Sequence, residues 1–146
     1  MKIEIINNSI NELPQYSTSQ SAGLDSRANL EESVTLKPLE RRLIPTGLHI
    51  ALPDGYEAQV RPRSGLAYKK GVTVLNAPGT IDADYRGDIG VILINMSNED
   101  FVVENGERIA QLVINNVMCK NLIVIENVTG FQKTERGNNG YGSTGK

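Results

Sequence analysis

The sequence predicts an all-β protein, a sandwich or jelly-roll-like barrel with at most one short helix. Its apolar segments are strand-sized and rich in Val and Ile, residue types that suit a pleated, half-buried surface. They recur along the chain and are separated by turn signals such as Pro53-Asp54-Gly55, Lys70-Gly71, Ala77-Pro78-Gly79, Asn105-Gly106 and Asn115-Asn116. Many short strands punctuated in this way pack as a sandwich or close as a barrel.

In chain order, the amphipathic opening Ile3 to Ile6 predicts a first strand, and Val34 to Leu36 and Leu43 to Ile44 predict two short ones. Leu48 to Leu52 and Tyr56 to Val60 read as strands on either side of the Pro53-Asp54-Gly55 turn. A short helical turn is expected after Ser64, ahead of a strand at Val72 to Leu75. Ile89 to Ile94, written Ile-Gly-Val-Ile-Leu-Ile, is apolar on both faces, whereas a strand of a lone small sandwich shows one polar face to water. Either a symmetric partner chain covers its second face or the strand is central to a closed barrel. Phe101 to Val103, Ile109 to Ile114 and Leu122 to Ile125 complete the expected strands.

At 146 residues and 39% hydrophobic content, the chain is one domain of ordinary size, able to bury a core without covalent staples. Cys119 is the single cysteine and cannot form an internal disulfide, and the chain opens on Lys-Ile-Glu-Ile-Ile rather than on a long apolar segment. A cytoplasmic location is the expectation. No apolar run approaches membrane-spanning length, so no membrane partner is expected. A net charge of −2, from 15 Lys+Arg against 17 Asp+Glu, gives no field to hold a polynucleotide. A small phosphorylated ligand needs only a few local donors, and Arg61, Arg63, Arg86, Arg108 and Arg136 sit in Gly-rich or turn-like surroundings suited to that task.

The densest chemistry lies between Arg61 and Asn95. Its first half puts Arg63, Ser64 and Gly65 at what reads as a helix start, where free backbone N–H groups and the helix dipole favour an anion. Ser64 is also readable as a plain helix N-cap, a role compatible with anion binding. In the second half Asp82, Asp84 and Tyr85 crowd what reads as the tip of a hairpin between two apolar runs. After Val128 the composition changes: Gly130, Gly137, Gly140, Gly142 and Gly145 replace the apolar pattern. Residues 1–128 therefore form the expected domain and residues 129–146 a flexible tail. Arg136, Tyr141, Ser143 and Thr144 are interleaved with the tail glycines, a combination able to fold over a nucleotide.

The chain resembles the homotrimeric dUTPases, and the resemblance runs over nearly its whole length. The motifs appear in the family's order: Ala22-Gly23-Leu24-Asp25, Arg63-Ser64-Gly65-Leu66-Ala67, Asn76-Ala77-Pro78-Gly79-Thr80-Ile81-Asp82-Ala83-Asp84-Tyr85-Arg86-Gly87, Gly106-Glu107-Arg108-Ile109-Ala110-Gln111-Leu112, and Arg136-Gly137 to Gly142-Ser143-Thr144-Gly145. The resemblance implies the family's jelly-roll-like β-clip barrel. It also implies hydrolysis of dUTP to dUMP and pyrophosphate with Mg2+, which keeps uracil out of DNA and supplies dUMP for thymidylate synthesis. It further implies a homotrimer with active sites at subunit boundaries. Asp25, Ser64 and Gln111 would come from one subunit, Asp82 to Tyr85 from a second, and the tail from a third, closing over a neighbouring site.

Residue by residue, the resemblance makes Asp82 the group that orients and activates the attacking water and also contacts the sugar 3′-hydroxyl. Tyr85 would press on the deoxyribose and leave no room for a 2′-hydroxyl. Asn76, with the backbone of Gly79, Thr80 and Ile81, would read the uracil edge; a capping role is the alternative for Asn76. Arg63, Ser64, Gly65 and Gln111 would hold the phosphates, with Arg136, Tyr141, Gly142 and Ser143 arriving from the tail. Asp25 would meet the magnesium ion through its water shell, in keeping with a cation that retains several waters and leans on substrate phosphates. A direct metal site on Asp82 and Asp84 is the other reading of that pair, since strand alternation would point both the same way.

His49, the only histidine, permits neither a Ser-His triad nor a zinc cluster and reads as structural. The last motif carries Asn139 and Tyr141 where the family has a Gly and a Phe. Asn tolerates a left-handed backbone and Tyr keeps the stacking face. Ser26 follows Asp25 where an apolar residue is commoner, which bears on strand packing. The nearest enzymatic rival is the related dCTP deaminase-type enzyme, which needs a catalytic glutamate on the hairpin and leaves the Arg136 to Gly145 tail unexplained. A catalytically silent nucleotide-sensing or protein-binding module on the same fold would be free to lose Asp82 or the tail, and both are present.

Overall fold

Strands account for nearly all regular structure in the computed structural model, which describes residues 2–118, 123, 125–130 and 132–134. The strands are β1 (Glu4–Asn7), β2 (Gly23–Arg27), β3 (Val34–Leu36), β4 (Arg41–Pro45), β5 (Leu48–Ala51) and β6 (Tyr56–Arg61), followed after α1 (Ser64–Lys70) by β7 (Val72–Val74), β8 (Gly79–Ile81), β9 (Gly90–Asn95), β10 (Phe101–Val103) and β11 (Arg108–Asn116). They form a four-stranded sheet in the order β2-β11-β6-β8, a three-stranded sheet β4-β9-β7, and the pairs β1-β5 and β10-β3. Every one of these pairings is antiparallel.

Alternation decides which side chains go inward. In β9, Val91, Leu93 and Asn95 are buried while Ile92 and Ile94 are half-buried. The inward set meets Leu36, Ile44, Leu48, Val72, Val103 and Leu112 in one contiguous core. Asn95 is buried there at no hydrogen-bonding cost: its amide donates to Leu36 O and Glu99 O, and its Oδ1 accepts from Ser97 N and Oγ. The outward set makes a second apolar surface. Leu43 pairs with Ile92 and Leu75 N bonds Ile92 O, and Leu43 and Leu75 remain 66% and 48% exposed.

Three sequence expectations are corrected. The segment from Asp82 to Asp88 is not a hairpin tip: β8 pairs with β6 and β9 with β4 and β7, so it crosses between two sheets. Asp82 and Asp84 consequently stand in a turn, closed by Tyr85 N donating to Asp82 O at 3.1 Å, and strand alternation does not apply to them. Ile123 and Ile125, expected in a strand, lie in none; a strand needs a hydrogen-bonding neighbour, and no described strand pairs with them. Leu122 and Val124 lie outside the described residues, as does Cys119.

The helix differs from expectation by one position. Arg63, in extended conformation, is the N-cap and Ser64 the first helical residue, with no side-chain capping bond. The helix ends in a left-handed Gly71 (φ 64°), whose N–H reaches Ala67 O and Leu66 O, and Lys69 and Lys70 in the last turn oppose the negative end of the dipole. Among the described residues, no helix is long and apolar enough to cross a membrane.

Candidate active site

The candidate residues gather in two groups on one chain. The first forms where β2, β11 and the start of α1 meet. β11 carries a bulge between Arg108, which faces Arg27, and Ala110, which faces Ser26. That extra residue shifts the register by one, so Gln111 rather than Ala110 stands opposite Asp25. Arg61 of β6 pairs with Gln111 from the other side, so Asp25, Gln111 and Arg61 form one row on the outward face.

Asp25 organises this row. Its Oδ1 accepts from Arg63 Nε at 2.9 Å and its Oδ2 from Arg108 Nη1 at 3.2 Å, while Arg63 Nη1 also donates to Arg108 O at 3.1 Å. Two guanidinium groups share one carboxylate, leaving a net positive charge beside the exposed Ser64 and Gly65 at the helix start. Arg63 is thus held by Asp25 and still has unused N–H donors. A Cβ added to Gly65 would meet nothing within 4 Å, so no packing inside the chain calls for a glycine there.

Gln111 donates from Nε2 to Pro62 O at 2.9 Å, tying β11 to the residue just ahead of the Arg63 cap. Its side chain lies against Gly23, where a Cβ would overlap Gln111 Oε1 and come within 3.1 Å of its Cδ. Gly23 lacks a positive φ, so space for the Gln111 amide is what a larger residue would remove.

The second group surrounds a cavity of about 240 Å3 lined by Asn76, Thr80, Ile81, Asp82 and Tyr85 together with Leu43, Asp88, Gly90 and Ile92. Gly79 is buried in β8, where a Cβ would come within 3.1 Å of the Asn76 Nδ2. No described residue bonds the exposed Asp82 carboxylate. The crossing segment is anchored at its Asp88 end. Asp88 Oδ1 accepts from Gly47 N at 3.0 Å and, at 3.3 and 3.4 Å, from Thr46 Oγ1 and N, and Tyr85 donates its hydroxyl to Asp88 O at 3.0 Å. His49 Nδ1 lies 2.9 Å from Arg86 O and Nε2 lies 3.2 Å from Asn8 Nδ2. A carbonyl only accepts, so Nδ1 carries the proton and Nε2 accepts from the asparagine.

The 240 Å3 cavity includes none of Asp25, Arg63, Ser64, Gly65 or Gln111. Arg136, Tyr141, Gly142 and Ser143 lie outside the described residues. Gly23, Gly87 and Asp88 belong to the machinery although sequence reasoning does not single them out, Gly23 and Gly87 lying inside the family motifs; Arg108, expected as a phosphate donor, braces Asp25. Close approach to Gly23 and Gly87 leaves no signal in the sequence.

The dUTPase family model matches residues 10–145 of this sequence. The chain belongs to the dUTPase family. Its curated relatives include the deoxyuridine 5′-triphosphate nucleotidohydrolase of Treponema denticola, 58% identical over 133 residues that cover 91% of this chain and 90% of the relative. That of Fusobacterium nucleatum is 52% identical over 146 residues, covering 100% and 98%. Among solved structures, the Staphylococcus bacteriophage 80alpha dUTPase with dUPNHPP shares 26% identity at a TM-score of 0.86, covering 99% of both chains. The dUTPase match extends through the glycine-rich end to residue 145.

Proposed function

We propose that the chain hydrolyses dUTP to dUMP and pyrophosphate in a site assembled between copies of itself. The observation that carries this reading is that the cavity able to take a nucleoside is lined by none of the residues that form the positively charged helix start suited to phosphates.

Cleavage between the α and β phosphates needs an in-line water, charge neutralisation and exact placement, with little covalent work by the protein. The Asp82 carboxylate, unpaired among the described residues, orients that water and accepts its proton. Tyr85 closes the sugar end of the cavity and Asn76, with the Gly79 to Ile81 backbone, the base end. Arg63, held by Asp25 and Arg108, directs its remaining donors with Ser64 and the Gly65 N–H toward the phosphates, and Gln111 is held beside them by Pro62 O.

Among the described residues no cluster of three or more His, Cys, Asp or Glu could hold a metal, and both Asp25 oxygens face guanidinium groups. This donor set suits Mg2+ held by substrate phosphates and waters, with Asp25 touching only its water shell. Bound there, the ion supplies charge neutralisation on the phosphate oxygens.

The apolar outward face around Leu43, Leu75 and Ile92 supports a homotrimer, since a second copy is the simplest cover for it. Residues 129–146 are the closing tail that brings Arg136, Tyr141, Gly142 and Ser143 to a neighbouring site, and the described residues from 125 to 130 are all exposed. The chain works in the cytoplasm on a nucleotide pool, without polynucleotide or membrane. The test is a pyrophosphate-release assay with dUTP, dCTP, dTTP and UTP, with and without Mg2+. Turnover of dUTP alone, dependent on the metal, is expected; equal turnover of dCTP, or release of ammonia from it, would overturn the reading.

A further inference from the structure

We propose that Gly87 is a positioning residue that sets sugar selectivity by seating the Tyr85 ring; this rests on the reading of Tyr85 as the wall against a 2′-hydroxyl. Glycine has two common uses, a left-handed backbone and room for a close neighbour. The first does not apply: among the described residues the positive-φ glycines are Gly47, Gly55, Gly71 and Gly106, and Gly87 is not one of them. The second does. The three atoms nearest to a Cβ built on Gly87 all belong to Tyr85, with Cζ at 2.5 Å, Cε2 at 3.0 Å and the hydroxyl overlapping it.

The ring therefore folds back over the Gly87 Cα, and its hydroxyl reaches past it to Asp88 O at 3.0 Å. Asp88 is in turn fixed through its carboxylate to Thr46 and Gly47. One end of the ring is thus pinned to an anchored residue, and its face rests on a position with no side chain. The same Tyr85 side chain lines the cavity with Asn76, Thr80, Ile81 and Asp82. A methyl group at 87 must push the ring by about 1 Å to restore an ordinary carbon contact. Tyr85 is 43% exposed, so the ring has somewhere to go and the domain need not unfold. A steric filter against one hydroxyl depends on such a distance, whereas contacts to base and phosphates do not.

The test is Gly87→Ala made both in the parent and in Tyr85→Ala, measuring kcat/KM for dUTP and UTP, with thermal unfolding as a check on folding. Gly87→Ala is expected to lower the dUTP-over-UTP ratio about tenfold in the parent and less than about twofold without the tyrosine. The same loss in both backgrounds, or none in the parent, would overturn the proposal. The Tyr85 ring resonances in NMR separate the two layers. Full discrimination by Tyr85→Ala alone overturns the sugar-wall reading and the selectivity it gives Gly87, while resonances unchanged by Gly87→Ala overturn the seat itself.

Discussion

Asp82 and Ser26 show how differently two small polar residues behave in this chain. Asp82 is exposed and unpaired among the described residues, so Asp82→Asn keeps the shape and the fold and removes only the proton acceptor. The variant is expected to bind nucleotide and lose most turnover, roughly 100-fold or more, in the pyrophosphate assay; normal turnover would take Asp82 out of the mechanism. Ser26 is fully buried and its Oγ has no hydrogen-bond partner among the described residues, so it bears an uncompensated desolvation cost. Ser26→Ala is expected to raise unfolding stability by about 1 kcal/mol in denaturant titration, with activity unchanged. The odd serine after Asp25 was visible in the sequence. That its hydroxyl would go unpaired was not, because the strands around it offer donors and acceptors already used by one another.

Strands rich in Val and Ile between turn signals could be read directly, because those signals are local. β2 and β8 escaped the list of expected strands: Gly23-Leu-Asp-Ser-Arg and Gly79-Thr-Ile carry too few apolar residues to show a period. The crossing of Asp82 to Asp88 between sheets escaped for a different reason. A turn looks the same in sequence whether its flanking strands pair with each other or with distant ones, and only the β6–β8 and β4–β9 registers decide it. Motif order pointed to Asp25, Ser64, Gln111 and Tyr85, while the groups that hold them depend on contacts between segments far apart in sequence. Asp88 is the clearest such group. Asp88→Ala removes the acceptor for Thr46 and Gly47 and is expected to cost about 2 kcal/mol of stability and to lower kcat more than it raises KM. Thermal unfolding and steady-state kinetics check both; a change in KM alone would show that the clamp does not position the crossing segment.

For the assembled protein, the outward row of exposed Leu43 and Leu75 around half-buried Ile92, together with the division of the site, predicts that one chain is not the working unit. Sedimentation should give a trimer, and an active monomer would contradict it. Truncation after Val128 should leave that trimer folded, since the described residues beyond it are exposed, and should abolish most turnover by removing Arg136 and Tyr141. Unfolding of the truncated chain, or full activity in it, would show that the segment has another job. The division of the site is tested most directly by mixing two inactive variants, Asp82→Asn and Arg63→Ala, during refolding. If the two groups meet across chains, some sites receive an intact Asp82 from one copy and an intact Arg63 from another, and equal mixing should restore about a quarter of the parent activity. If each chain carries its own complete site, every site keeps one lesion and the mixture stays as inactive as its components.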